Sequence, residues 1–159
     1  MPNNKFKLAF TDLANFSKTF KNKNVIVTGH TGFKGSWLVA WLQILGANIM
    51  GISLESTSKP SHFEELKISK KITDVRLNLL NLNPLKKKIS NFKPDFIFHL
   101  AAQSIVNLSY KDPLLTWHTN LIGTINILEV LKNLKKFCVG VIVTSDKCYK
   151  NFEITRGYK

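Results

Sequence analysis

Apolar and polar positions fall in blocks along this chain, each about as long as one buried strand or one amphipathic helix. From Asn24 onward, short β-branched runs at Val25–Thr28, Asn48–Ser53, Ile72–Asp74, Phe96–Leu100 and Val139–Thr144 predict five strands. Between them lie segments with helical spacing, at Phe33–Leu45 (stopped by Gly46), Pro84–Asn91 and Leu114–Leu134. Leu121, Ile125, Leu128 and Leu131 share one face of the last helix, and Trp37 and Trp41 share a face of the first that is assigned to the core. Residues 55–71 are polar, contain Pro60 and hold one short amphipathic turn at His62–Leu66. Strands apolar on both sides, alternating with helices, predict an α/β protein with a parallel sheet covered on both faces. The expected architecture is a Rossmann-like doubly wound sheet in the order 3-2-1-4-5, truncated after about strand five, over residues 24–159. Residues 1–23 form a polar N-terminal extension in which Leu13, Phe16 and Phe20 have helical spacing; a short docked helix and a frayed extension both fit.

Strand one runs into Gly29-His30-Thr31-Gly32-Phe33-Lys34-Gly35, a G-x-x-G-x-x-G loop that opens the first helix. Strand, glycine loop and helix in that order give the spacing its meaning. Gly29 permits a sharp turn, Gly32 lets the backbone approach a pyrophosphate, and Gly35 lets the helix pack close to the sheet. The helix start adds unpaired N–H groups and partial positive charge. The loop is therefore a candidate dinucleotide site, its competing reading being a purely structural turn.

Composition narrows the classes. With 159 residues and 44% apolar content, the chain suits one globular domain. No stretch approaches the roughly 18 uninterrupted apolar residues of a membrane span, and no signal-peptide core follows the basic N-terminus, so a cytoplasmic location is expected. The net charge of +13 raises nucleic acid as a partner, but 21 of the 23 basic residues are lysines and only Arg76 and Arg156 are arginines. Phosphate and base readers favour the arginine fork, so neither a nucleic-acid nor a membrane partner is expected. Cys138 and Cys148 have no neighbours at metal-ligand spacing; no metal site and no disulfide are expected.

In an open parallel sheet, ligands bind beyond the carboxyl ends of the strands. There strand one carries the glycine loop, strand four carries Leu100-Ala101-Ala102-Gln103-Ser104, and strand five carries Thr144-Ser145-Asp146-Lys147-Cys148-Tyr149. All three line one crevice, where Ala101 and Ala102 leave room for a flat cofactor. Taken alone, Asp146 also reads as a capping loop residue and Lys147 as a surface charge.

Residues 27–38, 99–104 and 144–149 resemble the extended short-chain dehydrogenase/reductase superfamily. The His-Thr-Gly-Phe-Lys-Gly loop and the Ser-Asp-Lys-Cys-Tyr element are similar, more narrowly, to the CDP-glucose 4,6-dehydratase family, as are Asp74-Val75-Arg76, Thr119–Thr124 and Arg156-Gly157-Tyr158. The likeness covers about residues 20–159. It implies a lyase that turns CDP-glucose into CDP-4-keto-6-deoxyglucose and water: NAD takes hydride from sugar C4, water leaves across C5–C6, and hydride returns to C6. Ketone formation acidifies the C5 proton and so opens the elimination. By resemblance, Asp146 is the acid for the C6 hydroxyl, Ser145 bonds the sugar near C4, and Lys147 stands where related dehydratases carry a glutamate base, a role open only to a neutral lysine. The implied cofactor contacts are Gly29, Thr31, Gly32, Phe33, Lys34, Gly35, Asp74, Val75, Leu100, Ala101, Ala102, Asn120 and Thr144. Asp74 would take the adenine amine, while Gln103 and Ser104 would face the substrate. The competing readings are a turn acid for Asp74 and an ordinary helix polar residue for Asn120. A homodimer of full-length chains is compatible with the family.

Two departures matter. The superfamily's Tyr-x-x-x-Lys pair, which supplies the C4 base and the ribose-binding lysine, is absent: Leu114 follows Tyr110 by four, Glu153 follows Tyr149 by four, and only Lys159 follows Tyr158. The chain is thus expected to be an N-terminal portion, inactive by itself, and a non-catalytic NAD(P)-binding module or another nucleotide-sugar epimerase or dehydratase stays open as the alternative. The first acid after strand two is Glu55, two residues past Ser53, with no arginine nearby and Lys59 close. NAD is therefore implied by the resemblance alone, and NADP is not excluded by the residues.

Overall fold

The computed structural model describes residues 15–56 and 58–145, together with 150, 152, 153, 155 and 157. A short helix α1 over residues 15–20 leads into β1 (Asn24–Thr28), α2 (Phe33–Ile44) and β2 (Asn48–Ser53). Then follow α3 (His62–Glu65), a 3₁₀ turn (Ile68–Lys70), β3 (Thr73–Arg76), α4 (Leu82–Phe92) and β4 (Phe96–His99). The last elements are α5 (Val106–Lys111), α6 (Pro113–Trp117), a π turn (His118–Ile122), α7 (Gly123–Lys132) and β5 (Val139–Ile142). The strands form one parallel sheet in the order β3-β2-β1-β4-β5, as the alternation predicts.

The alternation along β1 explains why a continuous apolar run is needed there. Val25 and Val27 point into one core with Val39 and Leu42 of α2 and Leu45 at its C-cap. Ile26 points into the opposite core with Leu85 and Ile89 of α4 and Ile127 and Val130 of α7. Each such side chain contributes about 1.5–3 kcal/mol by burial. Phe20 of α1 packs against Phe96 and Phe98, and Gly46 takes a φ of +78° just past the C-cap of α2.

One packing expectation is corrected. Trp37 and Trp41 are 55% and 41% exposed rather than core. The side of α2 facing the sheet carries Gly35, Ser36, Val39 and Leu42, because the helix start lies too close to the glycine loop for anything large. The tryptophans face outward, Trp37 stacked on His62 and Trp41 edge-on to Phe16. Likewise Leu121, Ile125 and Leu128 are exposed and Leu131 half-buried, while Gly123, Asn126, Ile127 and Val130 are buried. The buried face is not the one that apolar periodicity marks, because two of its positions are not apolar side chains. Gly123 sits over Leu79, and the amide of Asn126 donates to the Leu79 carbonyl at 2.8 Å. The expected single helix over Leu114–Leu134 also passes through the π turn, and α5 is an element the apolar spacing does not announce.

Candidate functional site

The chain leaves β1 between β2 and β4, the point at which strand order reverses and where an open parallel sheet offers its ligand crevice. Gly29, at a φ of +73°, has no room for a side chain: a Cβ there would lie 2.8 Å from the Ala101 backbone. Gly35 is tighter, with its Cβ position 2.1 Å from the Gly29 carbonyl oxygen. Gly32 is different. Its backbone is extended (φ −74°, ψ 165°), and its Cβ position meets only the Gly29 oxygen at 3.3 Å. Two glycines are thus required by the protein's own packing, and the third leaves open space at the N-terminus of α2. No side chain caps that helix and no acid lies in its first turn, so its leading N–H groups are available to an anion. Phe33 and Lys34 of that turn are exposed, whereas Thr31 is buried, its hydroxyl meeting Ser53 Oγ at 2.8 Å and donating to the Leu54 carbonyl.

His30, the loop residue without a role in the sequence reading, is fully buried and reaches across to β3. Its Nε2 lies 2.9 Å from Asp74 Oδ1, and Arg76 donates to Asp74 Oδ2 at 2.9 Å. Burial pushes the His30 pKa down more strongly than the Asp74 hydrogen bond and charge raise it. The imidazole fits only because β2 carries Gly51, whose Cβ position lies 2.4 Å from the ring. A glycine inside a strand was the available signal for this close approach. Gly51→Ala is expected to lower stability by about 1–3 kcal/mol, read as a lower urea midpoint. The expectation of no arginine near the end of β2 is corrected: Arg76 Nη1 donates to the Leu54 carbonyl at 2.9 Å, and its Nε lies 3.6 Å from Glu55. Strand pairing brings this about, since Ser53 is in register with Arg76.

The opposite wall is the segment after β4. Leu100 and Val75 turn their side chains into the two cores, leaving backbone towards the crevice. Ala102 and Ser104 are exposed and Ala101 half-buried. Asn120 clamps Gln103 in both directions, accepting from its N–H at 2.7 Å and donating to its carbonyl at 2.9 Å. His99 is buried between Thr28 and Thr124, at 2.7 and 2.9 Å, and burial lowers its pKa. His30 and His99 are thus both held below the ordinary value of 6.5 in the folded chain. As pH falls through 6.5 the unfolded chain takes up protons that the folded chain refuses, so stability is lost on acidification. The urea midpoint is expected to drop between pH 7.5 and 5.5, with a limiting slope of about 1.4 kcal/mol per pH unit per histidine; a flat profile would contradict this.

Beyond β5, Thr144 and Ser145 are exposed, beside the end of β4, where Val143 N–H donates to the His99 carbonyl. Asp146, Lys147 and Cys148 lie outside the described residues. The Cys138 thiol is half-buried and its pKa pushed up to about 11, chiefly by that burial, which disfavours the thiolate. Among the described residues no cluster of His, Cys, Asp and Glu is placed to hold a metal, and no helix is long and apolar enough to cross a membrane. The arrangement offers an anion cradle, a carboxylate on β3 and a small-residue wall, a set that fits an extended dinucleotide.

The model of the GDP-mannose 4,6 dehydratase family matches residues 26–153. CDP-glucose 4,6-dehydratase of Salmonella typhimurium is 41% identical over 140 residues, covering 88% of this chain and 39% of that protein. UDP-glucose 4-epimerase of Thermus thermophilus, solved in complex with NAD, is 30% identical with a TM-score of 0.61, covering 69% of this chain and 33% of that one. An epimerase from Methanothermobacter thermautotrophicus matches the fold with a TM-score of 0.76 at 24% identity, over 94% of this chain and 43% of its own. The chain thus spans well under half the length of the relatives it matches.

Proposed function

This chain belongs to the GDP-mannose 4,6 dehydratase family, and from that premise we propose that its crevice holds NAD as the dinucleotide-binding part, within residues 24–159, of a cytoplasmic nucleotide-sugar dehydratase acting on CDP-glucose. The observation that carries the reading is Gly32. Its backbone conformation does not require glycine and a Cβ there would meet only the Gly29 carbonyl oxygen, at 3.3 Å, yet it stands at an uncapped helix start, where a pyrophosphate needs the backbone bare. When bound, NAD supplies a hydride acceptor. The chain's own part is to hold it. Gly32 and the first turn of α2 take the pyrophosphate, and Asp74, steadied by His30 and Arg76, takes the adenine amine. Ala101 and Ala102 lie along the middle of the cofactor, with Asn120 and Thr144 beside them.

Charge favours NAD over NADP. The Arg76 guanidinium beside the end of β2 is engaged by Asp74 at 2.9 Å and faces Glu55 at 3.6 Å, which sets it against a 2′-phosphate, and the Thermus thermophilus relative is solved with NAD. Ser145, Asp146 and Lys147 are proposed for the sugar side, with Gln103 and Ser104 beside them: Ser145 as hydrogen-bond partner near C4, Asp146 as proton donor to the C6 hydroxyl, and Lys147 in the place of a base.

The test is a chimera in which this chain replaces the matching segment of the Salmonella relative. It is expected to convert CDP-glucose to the 4-keto product in the presence of NAD, and to lose that activity in Asp146→Asn. A chimera that binds NAD but never forms product would favour a non-catalytic module.

A further inference from the structure

We propose that His99 is a positioning residue for the dinucleotide site: as a neutral imidazole protonated on Nε2, it links a one-way run of hydrogen bonds from Ala101 to the Asn120 carbonyl, and so fixes the Ala101–Gln103 wall at both ends. The inference rests on the dinucleotide reading given above. The proton directions follow from the partners. The Thr124 hydroxyl donates to the Asn120 carbonyl at 2.7 Å, so its only proton is committed and it can only accept from His99 Nε2. Nε2 therefore carries the proton. In the neutral ring Nδ1 is then bare and accepts from the Thr28 hydroxyl at 2.7 Å. Thr28 Oγ1 in turn accepts from the Ala101 N–H at 3.2 Å. At the far end, the Asn120 side chain holds both the N–H and the carbonyl of Gln103. The run starts on that wall, and the residue on which it ends holds the wall's other end.

Its geometry matters because that wall touches the glycine loop. Ala101 occupies the space that any side chain at Gly29 would need, so a shift of the wall changes the gap in which a dinucleotide lies. A cationic ring would donate from both nitrogens. Thr28 would then have to turn its proton away from Nδ1, and the directions along the run would no longer agree. Burial, which already holds the ring neutral, keeps the run in one state.

The test measures NAD+ affinity of the full 159-residue chain by titration calorimetry in wild type, Thr124→Val and Thr124→Ser. Thr124→Ser keeps the acceptor oxygen, and Thr124→Val keeps the shape without it. The valine variant is expected to raise Kd about tenfold and the serine variant to stay within about twofold of wild type. If the valine variant does not fold, Thr124→Ala takes its place with the same expectation. Nitrogen resonances of the wild-type His99 ring give an independent reading, expected to show a protonated Nε2 and a bare Nδ1. A Kd unchanged on removal of the hydroxyl, or a proton on Nδ1, overturns the positioning role while leaving the dinucleotide reading intact. A wild-type chain that binds no NAD+ overturns both.

Discussion

Gly32→Val abolishes NAD binding, raising Kd by more than about a hundredfold, while the chain stays folded with a urea midpoint near that of wild type. The two halves of that expectation come from different facts about one position. Valine adopts a φ of −74° and ψ of 165° without strain, and its Cβ has to displace only the Gly29 carbonyl, by a few tenths of an ångström. The cost to folding is that of a small carbonyl shift, below the overlap a side chain at Gly35 would impose. A pyrophosphate hydrogen-bonded to the backbone at the N-terminus of α2, however, needs the space that the valine side chain fills. Gly35→Ala gives the contrast. Its Cβ would overlap the Gly29 carbonyl oxygen at 2.1 Å, so the loss there is of stability, about 1–3 kcal/mol, with binding reduced only as the fold is. A Gly32→Val chain that binds NAD as wild type does would remove the pyrophosphate from this loop.

The second large effect is an absence of turnover. The 159-residue chain incubated with NAD and CDP-glucose is expected to yield no 4-keto product. These residues contain no Tyr-x-x-x-Lys pair, and loss of a general base alone costs about 10²–10⁴-fold. Positioning of the sugar is worth on the order of 7–11 kcal/mol of barrier, and the described crevice presents only Gln103, Ser104, Thr144 and Ser145 on that side. Product above background in a coupled or alkaline-absorbance assay would mean that another group in this chain serves as the C4 base.

Most of the fold was legible because it rests on local signals. β-Branched runs of strand length, the cap at Gly46 and strict alternation suffice for a five-strand parallel order. The candidate site was legible where chemistry is local, in the glycine loop, and opaque where it depends on what the sheet brings together. Nothing between His30 and Asp74, 44 positions apart, announces their contact; it follows from β2 and β3 lying in register and from Gly51 making room. Arg76 reaches the end of β2 for the same reason. His99 and Thr124 meet only once α7 has been laid on the sheet. The outward tryptophans of α2 misled because helical spacing shows that residues share a face, not which face the sheet takes. Here the small face wins, since only it can approach the glycine loop.

The most direct test of the account is a titration of the isotope-labelled chain with NAD+, followed through its backbone amide resonances. Saturable shifts are predicted to concentrate on residues 29–35, on Asp74 and Val75, and on residues 100–103, leaving α4 and the amino ends of the strands unmoved. Shifts confined to other surfaces, or no saturable change at all, would contradict a dinucleotide site at the carboxyl ends of β1, β3 and β4.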